Sequence, residues 1–181
     1  MRESFSTAAV VAFWTEAGPA RWFKKDAAFD DEFRHRFAAQ HEDAASGALD
    51  GWAESADGAL ALMILLDQYP RNSFRGTTRM FATDAKALSI ATKAIAQGFD
   101  LTVDPVLRSF IYLPFMHSEQ LAVQDRALQL YAPLDSELQR FAVIHHDIIA
   151  RFGRFPHRNA VLGRTATADE QAFLDSGGFA G

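Results

Sequence analysis

The residues best suited to chemistry in this 181-residue chain lie in two similar polar segments, 67–77 and 154–165. Each segment passes a proline, presents an Arg–Asn pair, and then contains a glycine, an arginine and a threonine. Residues 69–79 contain three arginines and residues 151–164 contain four, and neither stretch contains an acidic residue. Half of the 14 arginines therefore lie in two short acid-free stretches, although the net charge of the chain is −5.

This pattern is typical of a site for a small anion. A guanidinium group holds a phosphate or a carboxylate through two parallel hydrogen bonds and stays ionised when it is partly buried. A neighbouring glycine lets backbone N–H groups approach the anion, and a helix that starts next to it adds a favourable dipole. If the two segments meet, they form one pocket. The candidate ligand-binding residues are Asp67, Arg71, Asn72, Arg75, Arg154, Arg158 and Asn159.

The alternative is that the Arg–Asn segments are purely structural. Arginine and asparagine after a helix can bind its last carbonyl groups and tie helix hairpins together through Asp67, Asp84 or Asp147. The protein would then be a non-catalytic helical scaffold that binds a peptide or protein partner. The sequence leaves both hypotheses open, and it does not decide whether the protein is an enzyme or which cofactor it uses.

Three residues are candidates for proton transfer beside a bound anion: His117, Glu119 and His157. A serine nucleophile at Ser118 is disfavoured because neighbours on a helix point about 100° apart and no Gly-x-Ser-x-Gly motif is present. Residues 145–147 read His-His-Asp, but helical metal ligands are usually spaced three or four residues apart. We therefore predict no metal site, and interpret His145 as a core histidine.

The elements that must position these residues have helical rather than strand periodicity. Polar caps and stops indicate helices that begin near Ser6, Asp26, Asp57, Thr77, Asp104, Ser118, Asp135 and Thr167. Phenylalanines at 29, 33 and 37 form one apolar stripe, and the run 59–66 is apolar on every face, which is typical of a central helix. A break or kink is expected near Pro114, and Thr167-x-x-Glu170 is a capping box.

These patterns predict an all-α fold of about eight helices, packed as antiparallel helix hairpins. Because no Pro-, Gly- or Ser-rich linker appears, we expect a single helical domain over residues 1–181. One subdivision is conceivable near residue 57, where acidic N-terminal helices give way to those flanking the Arg–Asn segments.

Composition narrows the functional class. The absence of cysteine excludes disulfides and thiolate chemistry and suits a reducing cytoplasm, where we expect the protein. The apolar run 59–66 is too short to span a bilayer, and Glu16 follows the apolar stretch 8–14, so we predict neither a membrane span nor a signal peptide. The acidic balance argues against nucleic acid as a partner. A small anion, or alternatively a peptide or protein, remains as the predicted partner.

The sequence resembles a bacterial family of unknown function, domain-of-unknown-function family 924, over essentially its whole length. The motifs that carry the resemblance are Phe13-Trp14, Trp22-Phe23, residues 65–72, Arg75-Gly76, Phe81-x-x-Asp84, residues 112–119, Gln124, residues 151–159, residues 162–164 and Glu170. The resemblance implies an all-helical fold similar to tetratricopeptide-like helical arrays. It implies no activity, substrate or catalytic residue.

Overall fold

The computed structural model describes residues 6–179, and this part of the chain is helical and contains no β-strand. The predicted all-α class is therefore confirmed. The longer helices are α1 (Thr7–Ala17), α2 (Ala27–Ser46), α3 (Ala56–Met63, Ile64–Gln68 and Tyr69–Ser73 in succession), α4 (Asp84–Ala96), α5 (Arg108–Met116), α6 (Leu121–Tyr131), α7 (Ser136–Phe152) and α8 (Ala168–Asp175). Short helical turns lie at Pro19–Trp22, Asp50–Glu54, Thr78–Phe81, Phe99–Leu101 and Pro156–Arg158. The resemblance to tetratricopeptide arrays stays a prediction.

The chain divides into two compact units. The first comprises the chain up to Arg75 together with Arg79–Pro114, and the second comprises Gly76–Thr78 and the chain from Phe115 onward. Residues on both sides of position 57 belong to the first unit. The arginines and asparagine of the first Arg–Asn segment lie in the first unit, whereas the whole second segment lies in the second.

The core of the first unit is built from the stripe on α2 and the all-apolar part of α3. Phe29, Phe33 and Phe37 are buried, and residues 59–66 are almost entirely inaccessible to solvent. Asp26 caps α2 through hydrogen bonds from the backbone N–H groups of residues 28 and 29. The caps predicted at Ser6 and Asp26 and the central position of 59–66 are confirmed. The helix predicted from Asp57 is instead capped by Ser55, and the helix predicted from Ser118 begins after Gln120.

Helix α3 is longer than the sequence indicated, because it continues through Pro70 to Ser73. The first seven residues of segment 67–77 therefore extend the helix that the apolar run 59–66 predicted. The stretch Ile64–Gln68 is wound as a π-helix, in which the Tyr69 N–H bonds the Ile64 carbonyl. This wider turn lets the chain pass a proline without ending the helix.

Side chains from elsewhere in the first unit satisfy the carbonyl groups that this irregular turn leaves open. Pro70 has no N–H to donate to the preceding turn. The Leu65 carbonyl accepts a hydrogen bond from His41 Nδ1 at 2.9 Å, and the Leu66 carbonyl accepts one from the Thr83 hydroxyl. The Asp67 carbonyl accepts one from Arg71 at 2.9 Å. The carbonyl groups of Leu65, Leu66 and Asp67 in the π turn are thus all hydrogen-bonded.

Several details of the later helices differ from the sequence prediction. The helix expected from Thr77 is divided into a short turn, Thr78–Phe81, and α4 from Asp84. The buried side chains of α4 are Ile90 and three alanines, whereas Phe81, Leu88 and Ile95 are half-buried. Helix α5 does not break at Pro114 but contains it and ends at Met116.

The second unit is built around α6, α7 and a small apolar cluster. Helices α6 and α7 pack against each other, and the α7 residues Ile148 and Ile149 are buried with Phe155 of the second Arg–Asn segment. Gly153 ends α7 in a left-handed conformation with φ of +69°, as the sequence predicted. The chain therefore reverses immediately before the second segment and returns over α7.

Candidate functional site

In the first Arg–Asn segment, Arg71 is bound by two carboxylates. Its two terminal nitrogens donate to the two oxygens of Asp84 at 2.8 and 3.0 Å, and Asp67 lies 3.2 Å away. Burial opposes the charge, but these two carboxylates outweigh it and raise the pKa of Arg71. Asp67 is itself buried and also accepts a hydrogen bond from Gln68 at 2.6 Å. Arg71 therefore ties α3 to the start of α4.

Asn72 and Arg75 of the same segment converge on Asp30 of α2. The Asn72 amide donates to Asp30 Oδ1 at 2.6 Å, and Arg75 Nε donates to Asp30 Oδ2 at 3.0 Å. Asp30 is buried despite its charge, because both of its oxygens are bonded. The first segment thus fastens α3 to α2, and its predicted ligand-binding groups are engaged by carboxylates of the same unit.

The second segment forms an equivalent tie through Arg154. Arg154 donates to both oxygens of Glu170 at 2.6 and 2.8 Å, and the Asn159 amide donates to the same carboxylate at 3.2 Å. Glu170 also accepts the Thr167 N–H at 2.7 Å, which completes the predicted capping box. The Arg154 guanidinium holds the pKa of Glu170 at about 2, and this group is therefore ionised at neutral pH.

Glu119, a proton-transfer candidate, is paired with Arg164. Two nitrogens of Arg164 donate to the two carboxylate oxygens at 2.8 and 3.0 Å, and the Phe155 N–H donates to Glu119 Oε1 at 2.8 Å. Burial raises the pKa of Glu119, but Arg164 and the Phe155 N–H outweigh burial and lower it overall. Glu119 is therefore an ionised anchor for the second segment.

His117, His145, His157 and Arg158 of the second unit form a group that we call the His–Arg cluster. The rings of His145 and His157 each lie 5.5 Å from the Phe155 ring, and the Arg158 guanidinium lies 4.5 Å above it. The His117 ring is 6.2 Å from the His145 ring. Three residues suggested for ligand binding or proton transfer are thus brought together, and His145 joins them.

The backbone at His117 is fixed by two long-range side chains. The Arg158 guanidinium donates to the His117 carbonyl at 3.0 Å. The amide of Gln124, which is fully buried on α6, donates to the carbonyls of Met116 and Ser118 at 2.7 Å each. Three consecutive carbonyls are therefore held by side chains, and His117 is placed at the cluster by residues that follow it in sequence.

His145 has an unusual electrostatic environment. It is 7% exposed, and burial is the main reason why its pKa falls to about 3, with smaller contributions from the positive charges of His117, His157 and Arg158. Phe179 covers it, with the two ring centres 4.6 Å apart. The interpretation of His145 as buried in the core is confirmed, but its neighbours are polar and cationic as well as aromatic.

Sequence reasoning missed several residues that shape these sites. Asp30 and Arg164 lie 42 and 45 residues from Asn72 and Glu119, which they bind, so no local pattern marks them. Gln124 lies only eight and six residues from the carbonyls of Met116 and Ser118, but it was not chosen as a site residue. Asp147, named as a tie for the arginines, instead lies 3.3 Å from its neighbour His146. The meeting of both Arg–Asn segments in one pocket stays a prediction. The arginines and the asparagine of each segment bind carboxylates and carbonyl groups that belong to the same unit as themselves.

Among residues 6–179, no group of three or more His, Asp or Glu side chains is arranged to hold a metal ion. None of the helices in this part of the chain combines the length and the apolar character needed to cross a bilayer.

Comparison with known proteins places the chain in a family. The family model described as "Bacterial protein of unknown function (DUF924)" matches residues 10–178. The chain belongs to the DUF924 family. This DUF924 protein is 51% identical to the solved structure of the protein of unknown function ATU0120 from Agrobacterium tumefaciens, with a TM-score of 0.92 and coverage of 94% of this chain and 97% of that one. No curated protein matches it. The resemblance stated from the sequence motifs is confirmed.

Proposed function

We propose that this DUF924 protein binds a small anion, a phosphate- or carboxylate-bearing molecule, at the His–Arg cluster of its second unit. The observation that carries this proposal is the grouping of His145, His157 and the buried Arg158 around Phe155 and Phe179, with the His117 ring 6.2 Å from the His145 ring. Attraction between an anion and these groups is stronger at a buried site than in water, because the local dielectric is lower.

Arg158 is the residue expected to contribute most to affinity. Its planar guanidinium matches the oxygen spacing of a phosphate or carboxylate. The Phe155 ring below it and the His117 carbonyl beside it orient the guanidinium plane before a ligand arrives. A preorganised side chain loses less conformational entropy on binding, so each contact contributes more to affinity.

Proton transfer to or from the bound anion is assigned to His117 and His157, which are half-buried at the cluster. Imidazole is suited to this role because its ordinary pKa lies near neutrality. Glu119 is less suited. It is ionised and has no proton to give, and Arg164 and the Phe155 N–H bind both of its oxygens and lower its pKa, so it is also a weak proton acceptor. We assign Glu119 the role of positioning the second segment.

The test is thermal unfolding in sodium phosphate compared with sodium chloride of equal ionic strength. We expect phosphate to raise the Tm of the natural protein, because a ligand that binds the folded state stabilises it. Arg158→Gln should abolish the increase. Arg151→Gln is the matched control, since Arg151 is exposed and stacks on Phe152 at 4.6 Å. An unchanged phosphate response in Arg158→Gln would show that the assignment is wrong.

The second candidate is the helical scaffold that binds a peptide or protein. The observation that favours its structural premise is that Arg71, Arg75 and Arg154 all bind carboxylates. Under this hypothesis Arg158→Gln lowers stability, and phosphate has no effect on the Tm of any variant. Affinity purification from the source bacterium should then recover one reproducible partner, whereas recovery of none would contradict a scaffold function.

A further inference from the structure

We infer that the protein self-associates through its first unit, with the exposed Phe23 ring of one copy seated in a groove along α1 of a second copy. Phe23 and the groove belong to the same unit. Two copies related by a two-fold axis can therefore exchange these contacts reciprocally, which closes the assembly as a dimer. This inference is independent of anion binding at the His–Arg cluster, which lies in the second unit.

The α1 groove is an open, mainly apolar cleft on the outward face of that helix. Its volume is about 420 Å³, which lies in the ordinary range of ligand-binding clefts. Between Thr7 and Thr15, α1 has no charged side chain on any face, although Ala8 and Ala12 are exposed. A surface helix normally has a polar outward face. The residues that line the α1 groove are Ala8, Val11, Ala12, Thr15, Glu16 and Asp57.

Residues 21–25, which we call the Phe23 segment, present one aromatic ring to solvent. Phe23 is 63% exposed, and it is the aromatic member of the exposed large hydrophobic side chains in residues 6–179. Its ring stacks on Phe110 at 5.8 Å, and the indole N–H of buried Trp22 donates to the Trp14 carbonyl at 2.6 Å. The ring is thus held in position before a partner arrives. Rigid aromatic side chains that become buried supply much of the affinity at protein interfaces.

Three cations flank this ring: Arg21, Lys24 and Lys25, all of which are exposed. None of the three forms an ion pair within residues 6–179. Asp26, the acid that follows them, accepts the backbone N–H groups at the start of α2. The Phe23 segment therefore surrounds an apolar ring with positive charge, in a chain whose net charge is −5.

The rim of the α1 groove carries the opposite charge. Glu16 and Asp57 are exposed, and in the described part of the chain neither is ion-paired. The segment and the groove are thus complementary in both respects: an apolar centre meets an apolar centre, and cations meet carboxylates at the rim. An anionic lipid surface would suit the Phe23 segment alone and would leave the acidic, apolar groove unused. A second copy of this chain satisfies both surfaces.

The experiment is sedimentation-velocity ultracentrifugation of the full chain at concentrations from about 1 μM to about 1 mM. We expect a reversible dimer whose dissociation constant rises with sodium chloride concentration, because salt screens the charges at the rim. Phe23→Ser should raise this constant at least about tenfold, and so should Ala12→Glu, which places a charge in the groove. Val143→Ser, at an exposed apolar position of the second unit, is the matched control and should leave the constant unchanged.

Charge reversal tests whether these two surfaces meet each other. One variant carries Lys24→Glu with Lys25→Glu, and the other carries Glu16→Lys with Asp57→Lys. Each alone should be monomeric at concentrations where the natural protein is a dimer, because like charges would face each other. An equal mixture of the two should form a heterodimer, since both of its reciprocal contacts again join opposite charges.

The concentration dependence of the natural protein needs no variant, and a protein that is monomeric throughout would overturn the inference. A dimer that Phe23→Ser and Ala12→Glu leave unchanged would overturn it too, as would two reversal variants that stay monomeric when mixed. Cosedimentation of the monomer with phosphatidylglycerol vesicles, if Phe23→Ser abolished it, would assign the Phe23 segment to a membrane surface instead. Circular dichroism of each variant should match that of the natural protein, because every substitution in the segment and the groove is at an exposed position.

Discussion

Replacement of Glu170 by glutamine tests the strongest ionic tie of the second unit. Glu170 is 2% exposed, and its carboxylate accepts hydrogen bonds from Arg154, Asn159 and the Thr167 N–H. Glutamine preserves the size and shape of the side chain but removes its charge. One amide oxygen cannot replace two carboxylate oxygens, and the amide NH₂ would face donors. The substitution therefore removes the negative charge and one hydrogen-bond acceptor while keeping the size of the side chain.

The expected loss follows from the pKa of Glu170. The Arg154 guanidinium and the Thr167 N–H lower this pKa from 4.5 to about 2. At about 1.4 kcal/mol per pKa unit, the shift corresponds to about 3 kcal/mol of folding free energy. The Arg154 side chain is 28% exposed, so solvent screening reduces the expected loss to about 2 kcal/mol. Because the folded-state pKa is lowered, this stabilisation is complete above pH 4.5 and disappears as the pH falls towards 2.

Urea unfolding followed by far-UV circular dichroism at pH 7 and pH 3 measures the loss, with amide exchange in α8 to locate it. The matched control is Asp169→Asn, at an exposed position in the first turn of the same helix. We expect the control to cost about 0.5 kcal/mol, from its interaction with the helix dipole. The reasoning is refuted if Glu170→Gln costs no more than the control at pH 7. It is also refuted if the loss does not shrink at pH 3.

Two further predictions concern each unit separately. In the first unit, Gly58→Ala places a Cβ atom 1.9 Å from the Trp52 carbonyl oxygen, and it should lower the free energy of unfolding by about 3 kcal/mol or more. The control Gly51→Ala has open space around the new Cβ atom and should lower the free energy of unfolding far less. Equal losses in the two variants, measured by urea unfolding, would contradict this account. In the second unit, the pKa of His145 is 6.5 in the unfolded chain and about 3 in the folded protein. The contribution of His145 to the free energy of unfolding should therefore be complete above pH 6.5 and fall by about 1 kcal/mol per pH unit below it. Urea unfolding at a series of pH values should show a flatter dependence on pH in His145→Gln, and an unchanged dependence would refute the assignment of this effect to His145.

Helix positions could be predicted from the sequence where the information is local. The caps at Asp26 and Thr167, and the left-handed glycine at Gly153, each act within one or two turns. The passage of α3 through Pro70 could not be predicted in this way, because the carbonyls it frees are satisfied by His41 and Thr83, which lie on other elements. A local rule correctly marks proline as a helix breaker, and tertiary contacts overrule it.

The candidate site could be predicted only in part, because the partners of its residues also come from distant parts of the chain. The stretches 69–79 and 151–164 are acid-free in sequence, but folding brings carboxylates to them from Asp30, Asp84 and Glu170. A stretch of sequence without acidic residues therefore does not predict that its arginines lack carboxylate partners in the folded protein. His117 and His157 could be chosen as candidates by residue type. Their grouping with His145 depends on the reversal of the chain after α7, which only the fold specifies.

The preference for arginine over lysine now has a physical explanation at particular positions. Arg71, Arg154 and Arg164 each bind a carboxylate through two nitrogens, a geometry that the single ammonium of lysine cannot reproduce. Arg158, four residues after Arg154, instead stacks on Phe155 and lies within the His–Arg cluster. One segment therefore presents guanidinium groups in two different environments. Substitution at Arg154 should be felt mainly in stability, and substitution at Arg158 mainly in anion affinity, because the first neutralises a buried carboxylate and the second lies beside the histidines.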